Sequence, residues 1–185
     1  MKKGKIGGTR LKQVLAKNNV PLIYELLAEQ GLDELEESYK SEAMQWGIDM
    51  ETFAYNAWNE STGLGMAEYG WIESDLSEIV GLSPDGYNPN LNKAIEIKCP
   101  STKKHVEYII KGDIPTEYKP QILHYFIVID DLESLDFISF DPRYKTKPLH
   151  IITVTREELA DEIEQAKVGL VKFLEKLEKY KLKLK

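Results

Sequence analysis

Glu96 and Lys98 stand two residues apart in Ala94-Ile95-Glu96-Ile97-Lys98-Cys99, a run whose β-branched residues and alternation read as a strand. Side chains two apart on a strand share a face, so this acid and this base look the same way, while Ile95, Ile97 and Cys99 face the core. Upstream, Asp85 follows Pro84 in a run to Asn92 that is dense in turn-forming Asp, Gly, Asn and Pro. Two carboxylates on one face offer oxygen ligands to a hard cation. Mg²⁺ takes one or two carboxylates and completes its octahedron with water and phosphate oxygens. An ion held this way polarises a phosphoryl oxygen and supplies hydroxide near neutral pH. The adjacent lysine stabilises the attacking water or the negative charge growing on phosphorus. That chemistry is phosphodiester hydrolysis. Either motif alone is weak, because Glu-x-Lys also decorates solvated strand faces and Pro-Asp-Gly is commonly just a turn. Their combination, with strands 78–82 and 93–99 as antiparallel neighbours, points to metal chemistry, in a register the sequence leaves open.

The elements that must position these groups can be read from periodicity and turn signals. Gly7-Gly8 precedes Thr9, which is placed to cap a short helix through Leu11, Val14 and Leu15. A second helix follows Pro21 and runs through Tyr24 and Leu27. A long, rather polar helix is predicted over 35–59, with Met44, Ile48, Ala54, Tyr55 and Trp58 buried and Gly63 and Gly65 ending it. Strands are predicted at 66–72, 78–82 and 93–99, then helices at 103–111 and 117–129, then strands at 135–140 and 149–154. Thr155-Arg156-Glu157-Glu158 matches a capping box, and a long helix follows to near Lys181. The whole describes one α/β or α+β domain with a helical crossover between strands.

Composition sets the outer limits. The 185 residues carry a formal net charge of −7, with a pI near 5.1, which argues against a wide nucleic-acid surface. A local basic channel remains open, because Lys and Arg cluster at Lys2, Lys3, Lys5, Arg10 and Lys12, and again at Lys93, Lys98, Lys103 and Lys104. No run reaches the roughly 18 apolar residues of a membrane span. The basic start has no apolar signal core after it, and Cys99 is the only cysteine, so a reducing cytoplasm is the expected location.

Several further segments fit one family in order. The pair "SPDG" and "EIKCP" resembles the PD-(D/E)xK nuclease signature in the form used by the lambda-exonuclease or YqaJ-type viral recombinase family. "HVEYIIKGDIPTEYKPQ" resembles that family's segment with a histidine, then Ile114-Pro115, then Tyr118-x-x-Gln121. "FISFDPRY" resembles its later strand ending in Asp-Pro-Arg. "WGIDMETFAYNAW" resembles its helix with a glycine four residues before an acid, here Gly47 and Glu51. "GGTRLKQVL" is similar, more loosely, to its opening helix.

The resemblance implies a restriction-endonuclease-like core, a mixed central sheet flanked by helices. It also implies a metal site of Asp85, Glu96 and Glu51 with the Ile97 carbonyl. Lys98 would assist the nucleophilic water, Gln121 would position that water or Lys98, and Tyr118 would lie near the DNA backbone. His105 is expected to be structural or phosphate-facing rather than a metal ligand, since no other histidine is near it. Thr9 and Arg10 offer a helix-start hydroxyl and a bidentate fork, which in this family would hold a DNA phosphate, and otherwise form an ordinary N-cap. Lys2, Lys3 and Lys5 supply the basic charge before them. The implied activity is Mg²⁺-dependent (Mn²⁺ substituting) 5′→3′ digestion of double-stranded DNA ends, leaving 3′ tails for a single-strand annealing partner. A ring-shaped homotrimer in the cytoplasm of a bacterial host, with a phage or prophage origin, belongs to the same picture. An endonuclease on the same core, or a DNA-binding module without catalysis, are the alternatives.

Overall fold

The computed structural model describes residues 3–32 and 41–184. Lys2 and the beginning of the helix expected from residue 35 lie outside them. The element order is α1 (Gly8–Val14), α2 (Val20–Gly31), α3 (Glu42–Thr62), β1 (Ile72–Ser74), β2 (Ser77–Leu82), β3 (Gly86–Asn88), β4 (Lys93–Lys98), α4 (Thr102–Lys111), α5 (Lys119–Val128), β5 (Ser134–Phe140), β6 (Leu149–Thr155) and α6 (Ala160–Lys181).

The main sheet has the order β3-β4-β5-β6 and is mixed. β4 and β5 run parallel, joined by the α4–α5 crossover, while β3 and β6 flank them antiparallel. β1 and β2 form a separate antiparallel hairpin. The expected pairing of 78–82 with 93–99 therefore does not occur. The partner of β4 is β3, hidden inside the turn-rich run 84–92, whose Gly and Asn content masked a three-residue strand. The strand expected at 66–72 is likewise reduced to a single bridge between Ala67 and Tyr87, with regular pairing starting at Ile72.

Alternation along β4 and β5 explains two apolar cores on opposite faces of the sheet. Ala94, Leu135 and Phe137 pack with Leu11, Leu22, Ile122, Phe126, Leu170 and Phe173 from α1, α2, α5 and α6. Ile95, Ile97, Ile138 and Phe140 pack with Ala54 and Trp58 of α3. Both faces of β4 are covered, which is why Glu96 becomes deeply buried rather than lying on a wet rim.

α3 begins at Ser41, whose hydroxyl accepts the Met44 N–H at 3.2 Å, and ends at Gly63 in a left-handed cap with φ 69°. Only its second half packs closely. Trp58 is fully buried and donates to Asp136 at 3.0 Å, while Met44 and Ile48 are about half exposed, contrary to expectation. They precede the part of the helix that reaches the sheet. The capping box does form, with Thr155 N–H donating to Glu158 at 2.8 Å and Glu158 N–H to the Thr155 hydroxyl at 3.2 Å. One irregular turn then leads into α6.

His124 on α5 is fully buried and lies 2.9 Å from the Gly81 carbonyl of β2. Burial pushes its pKa down to about 4, against an ordinary histidine near 6.5. A depressed folded-state value means its stabilisation is complete above the unfolded pKa and is lost as pH falls toward the folded one. Wild type should therefore lose about 2 kcal/mol relative to His124→Gln between pH 7 and pH 5. Paired urea melts at the two pH values check this, since taking the difference cancels the other titrating groups.

Candidate active site

β3 stops short, and the site grows from that fact. Its last pair with β4 is Gly86 opposite Ile95, so the edge of β4 beyond Ile95 has no strand beside it. Asp85 takes the place of the missing strand: its carboxylate accepts the Ile97 N–H at 2.7 Å. A residue's N–H and C=O leave a strand on the same side, so the Ile97 carbonyl also faces this open edge. Gly86 is required at the corner, because a Cβ there would sit 2.8 Å from Met66 Cβ and 2.9 Å from Ile95 Cδ1.

On the α5 side of β4, Glu96 is only 1% exposed yet fully engaged. Lys98 forms an ion pair with its Oε1. Gln121 donates to the same oxygen at 2.7 Å, and the Tyr125 hydroxyl donates to Oε2 at 2.6 Å. The Lys98 ammonium also lies 5.3 Å from the centre of the Tyr118 ring. Tyr118 is set in turn by the Pro115 carbonyl, which accepts its N–H at 2.8 Å.

Crowded carboxylates set the electrostatics. Burial and the charge of Glu96 push Asp85 up to about 8, against the pull of Lys98 and the Ile97 N–H. Burial opposes the Lys98 ammonium, but Glu96 and Asp85 outweigh it and hold its pKa above the ordinary lysine value. Lys98 is therefore a charged donor, suited to stabilising an anion rather than to taking up a proton.

A groove of about 490 Å³ opens here, lined by Ile48 and Glu51 of α3, by Asp85 and Lys98, and by Lys104 and Tyr118. A smaller hollow of about 160 Å³ lies between Glu51, Tyr55, Glu68, Asp85 and Ile97. α3 is held over the groove by two devices. One is the Trp58–Asp136 hydrogen bond; the other is Arg143, stacked 4.2 Å over the Trp46 ring and anchored to Asp141 at 2.7 Å. Among the described residues, no three His, Cys, Asp or Glu side chains converge as a ready-made metal cage. The donor types at the open edge are nevertheless all oxygen, as a hard cation prefers. Burial first, and then the charge of Glu96, disfavours the Asp85 carboxylate, and a cation bound there would offset both.

A further cavity of about 470 Å³ lies behind this centre, lined by Gly7, Gly8, Thr9, Trp71, Ser83, Gln121 and Tyr125. Thr9 does line it, but from inside α1. The helix starts one residue earlier, with Gly7 as its N-cap, so Thr9 does not cap it. Gly8 packs so tightly that a Cβ would stand 2.9 Å from Gln121 Cγ.

Arg10 is not the phosphate fork offered as one of its two readings, and His105 takes the structural rather than the phosphate-facing of its two. Arg10 is 2% exposed, and its guanidinium is bound to Glu25 at 2.6 Å, to Glu29 at 2.9 Å and to the Lys5 carbonyl at 2.8 Å. The fork is spent on an internal ion pair between α1 and α2. His105 is fully buried between the Ser139 hydroxyl at 2.7 Å and the Lys147 carbonyl at 2.8 Å, so it is structural and not phosphate-facing. Tyr125 was missed from sequence. Its spacing of four residues from Gln121 on one helix face was the available signal, hidden inside an apolar run.

The chain belongs to the YqaJ-like viral recombinase family, whose domain matches residues 1–131. Solved exonuclease structures are among those that share its fold. The alkaline exonuclease LHK-Exo from Laribacter hongkongensis is 28% identical, with a TM-score of 0.80 over 98% of this chain and 93% of that one. The same protein in complex with dAMP superposes with the same figures. A phage-related exonuclease from Haemophilus somnus 129PT, 16% identical, shares the fold at a TM-score of 0.63 over 97% of each chain. No curated protein matches this sequence. The mixed sheet flanked by helices, with a long C-terminal helix, is the architecture of these neighbours. No helix among the described residues is long and apolar enough to cross a membrane.

Proposed function

We propose that the protein is a Mg²⁺-dependent exonuclease that digests double-stranded DNA from its ends in the 5′→3′ direction and leaves 3′ single-stranded tails. The observation that carries this reading is the buried Glu96, gripped by Lys98, Gln121 and Tyr125 next to Asp85 at an open strand edge. Family membership and the alkaline-exonuclease neighbours support it.

In this reading Asp85, Glu96, the Ile97 carbonyl and Glu51 would hold Mg²⁺, with Mn²⁺ as a substitute. The ion, when bound, supplies a polarised phosphoryl oxygen and a hydroxide-like nucleophile. The chain's own residues do the rest. Lys98, kept as an ammonium by its acidic neighbours, stabilises negative charge on the phosphorus and the attacking water. Gln121 keeps Glu96 in place and turns one wall toward the cavity behind. Tyr118, its ring 5.3 Å from the Lys98 ammonium, would lie near the DNA backbone. Thr9, with the cavity at the start of α1, would receive the strand end, and Lys104 would meet the DNA backbone. A homotrimeric ring and a single-strand annealing partner for the 3′ tails complete the proposal.

The test is time-resolved digestion of linear duplex labelled at the 5′ or the 3′ end, with and without Mg²⁺. Early release of the 5′ label, complete dependence on the ion and an untouched covalently closed circle are expected. A circle that is nicked or linearised would instead identify an endonuclease.

A further inference from the structure

We propose that Tyr125 is a positioning residue for the catalytic centre: its buried hydroxyl holds Oε2 of Glu96 from behind and so fixes the plane in which the carboxylate meets Lys98 and the groove. The inference rests on the nuclease reading above and adds to it a residue that acts on the centre through Glu96 rather than by holding the cation itself. Tyr125 is 2% exposed and Glu96 1%, so no water competes for their 2.6 Å hydrogen bond. Gln121, one turn earlier on α5, donates to Oε1 at 2.7 Å. Donors on both oxygens, spaced by one helical turn, stop the carboxylate from rotating about its terminal bond.

A phenylalanine at 125 keeps the packing but leaves Oε2 buried without a partner. A carboxylate in that state swings to recover a hydrogen bond and no longer presents a fixed oxygen. Loss of such a supporting hydrogen bond behind a metal-ligating side chain typically costs about 10–100-fold in metal affinity or activity.

The experiment uses the full chain with Tyr125→Phe. Mn²⁺ binding is measured by titration calorimetry without DNA, and steady-state digestion of linear duplex is measured separately. The Mn²⁺ dissociation constant should rise about tenfold and kcat should fall about tenfold, with KM for duplex ends and the far-UV spectrum unchanged. In a Glu96→Gln background, Tyr125→Phe should cause no further loss of Mn²⁺ binding. A folded Tyr125→Phe protein with wild-type Mn²⁺ affinity and wild-type kcat overturns the positioning role and leaves the nuclease reading standing. Wild type that neither binds Mn²⁺ nor cuts DNA overturns both. Should Tyr125→Phe fail to fold, ¹³Cζ-tyrosine spectra of the Tyr55→Phe/Tyr118→Phe double variant decide, since those changes remove the tyrosine beside Glu51 and the tyrosine over Lys98. A tyrosine resonance that moves on adding Mg²⁺ supports the role, and a spectrum in which none moves overturns it.

Discussion

Lys98→Ala is expected to lower kcat on linear duplex about 10²–10³-fold while changing KM for DNA ends little. The reason lies in how the ammonium is held. Its charge is fixed by Glu96 and Asp85 and its position by the Glu96 ion pair and the Tyr118 ring, so it needs no reorganisation when negative charge appears on phosphorus. An alanine supplies neither the charge nor a hydrogen-bond donor. In the proposed reading duplex binding would be spread along the groove, so the loss should fall on the chemical step. Glu96 keeps the Gln121 and Tyr125 hydrogen bonds in the variant, and the protein should remain folded. Initial rates on end-labelled duplex, with circular dichroism as the folding control, check this. Equal, non-zero rates for Lys98→Ala and wild type would remove Lys98 from the chemistry, and no cutting by either would favour a DNA-binding module.

Arg10→Ala is expected to be the most destabilising change of a charged residue, costing about 3–5 kcal/mol. The guanidinium is almost fully buried and is ion-paired with Glu29, whose side chain is 12% exposed. Glu29 also accepts the Gly4 N–H at 2.8 Å, so it cannot simply swing into water when Arg10 is removed. Burial opposes the arginine's charge, but the hydrogen bonds and charges of Glu29 and Glu25 together outweigh it, and the Arg10 hydrogen bond holds Glu29 below the ordinary glutamate range. A depressed carboxylate contributes stability that is present at neutral pH and lost as acid protonates it. The cost of Arg10→Ala should therefore be largest near pH 7 and shrink in acid. Urea melts of Arg10→Ala at both pH values measure it, and Arg10→Met combined with Glu29→Leu should recover much of the loss by removing both charges. Had Arg10 been a surface phosphate fork, the same change would leave stability within about 0.5 kcal/mol and weaken DNA binding instead.

Arg10 also shows where sequence reading fails. A helix start with a hydroxyl and an arginine looks the same whether the arginine faces solvent or a glutamate pair one helix away. Glu25 and Glu29 were visible as part of an acidic stretch, but nothing local says that α2 packs them onto α1. His105 is the same case, its Ser139 and Lys147 partners lying far along the chain. Helices, by contrast, were legible. α2, α4, α5 and α6 fall within a few residues of their periodic signals, because a helix is decided by residues near one another. Strand pairing was not. β3 carries Gly86 and Asn88 inside a run that looks like a turn, and only its neighbour β4 makes it a strand.

What the sequence determined by itself was the inventory: an α/β order of elements, Asp85, Glu96, Lys98, Tyr118 and Gln121 in family order, and the family that these motifs name. Each is a matter of residue type and short spacing, which a linear chain displays. What only the tertiary structure decided was how these groups meet. β3 begins only at Gly86, which leaves Asp85 just before it to accept the Ile97 N–H, α5 lays Gln121 and Tyr125 across Glu96, and the packing of α1 on α2 buries Arg10. Those arrangements depend on register and on contacts between distant segments. Burial then sets which charges must be paired and which can face a substrate, and that is a property of the folded chain alone.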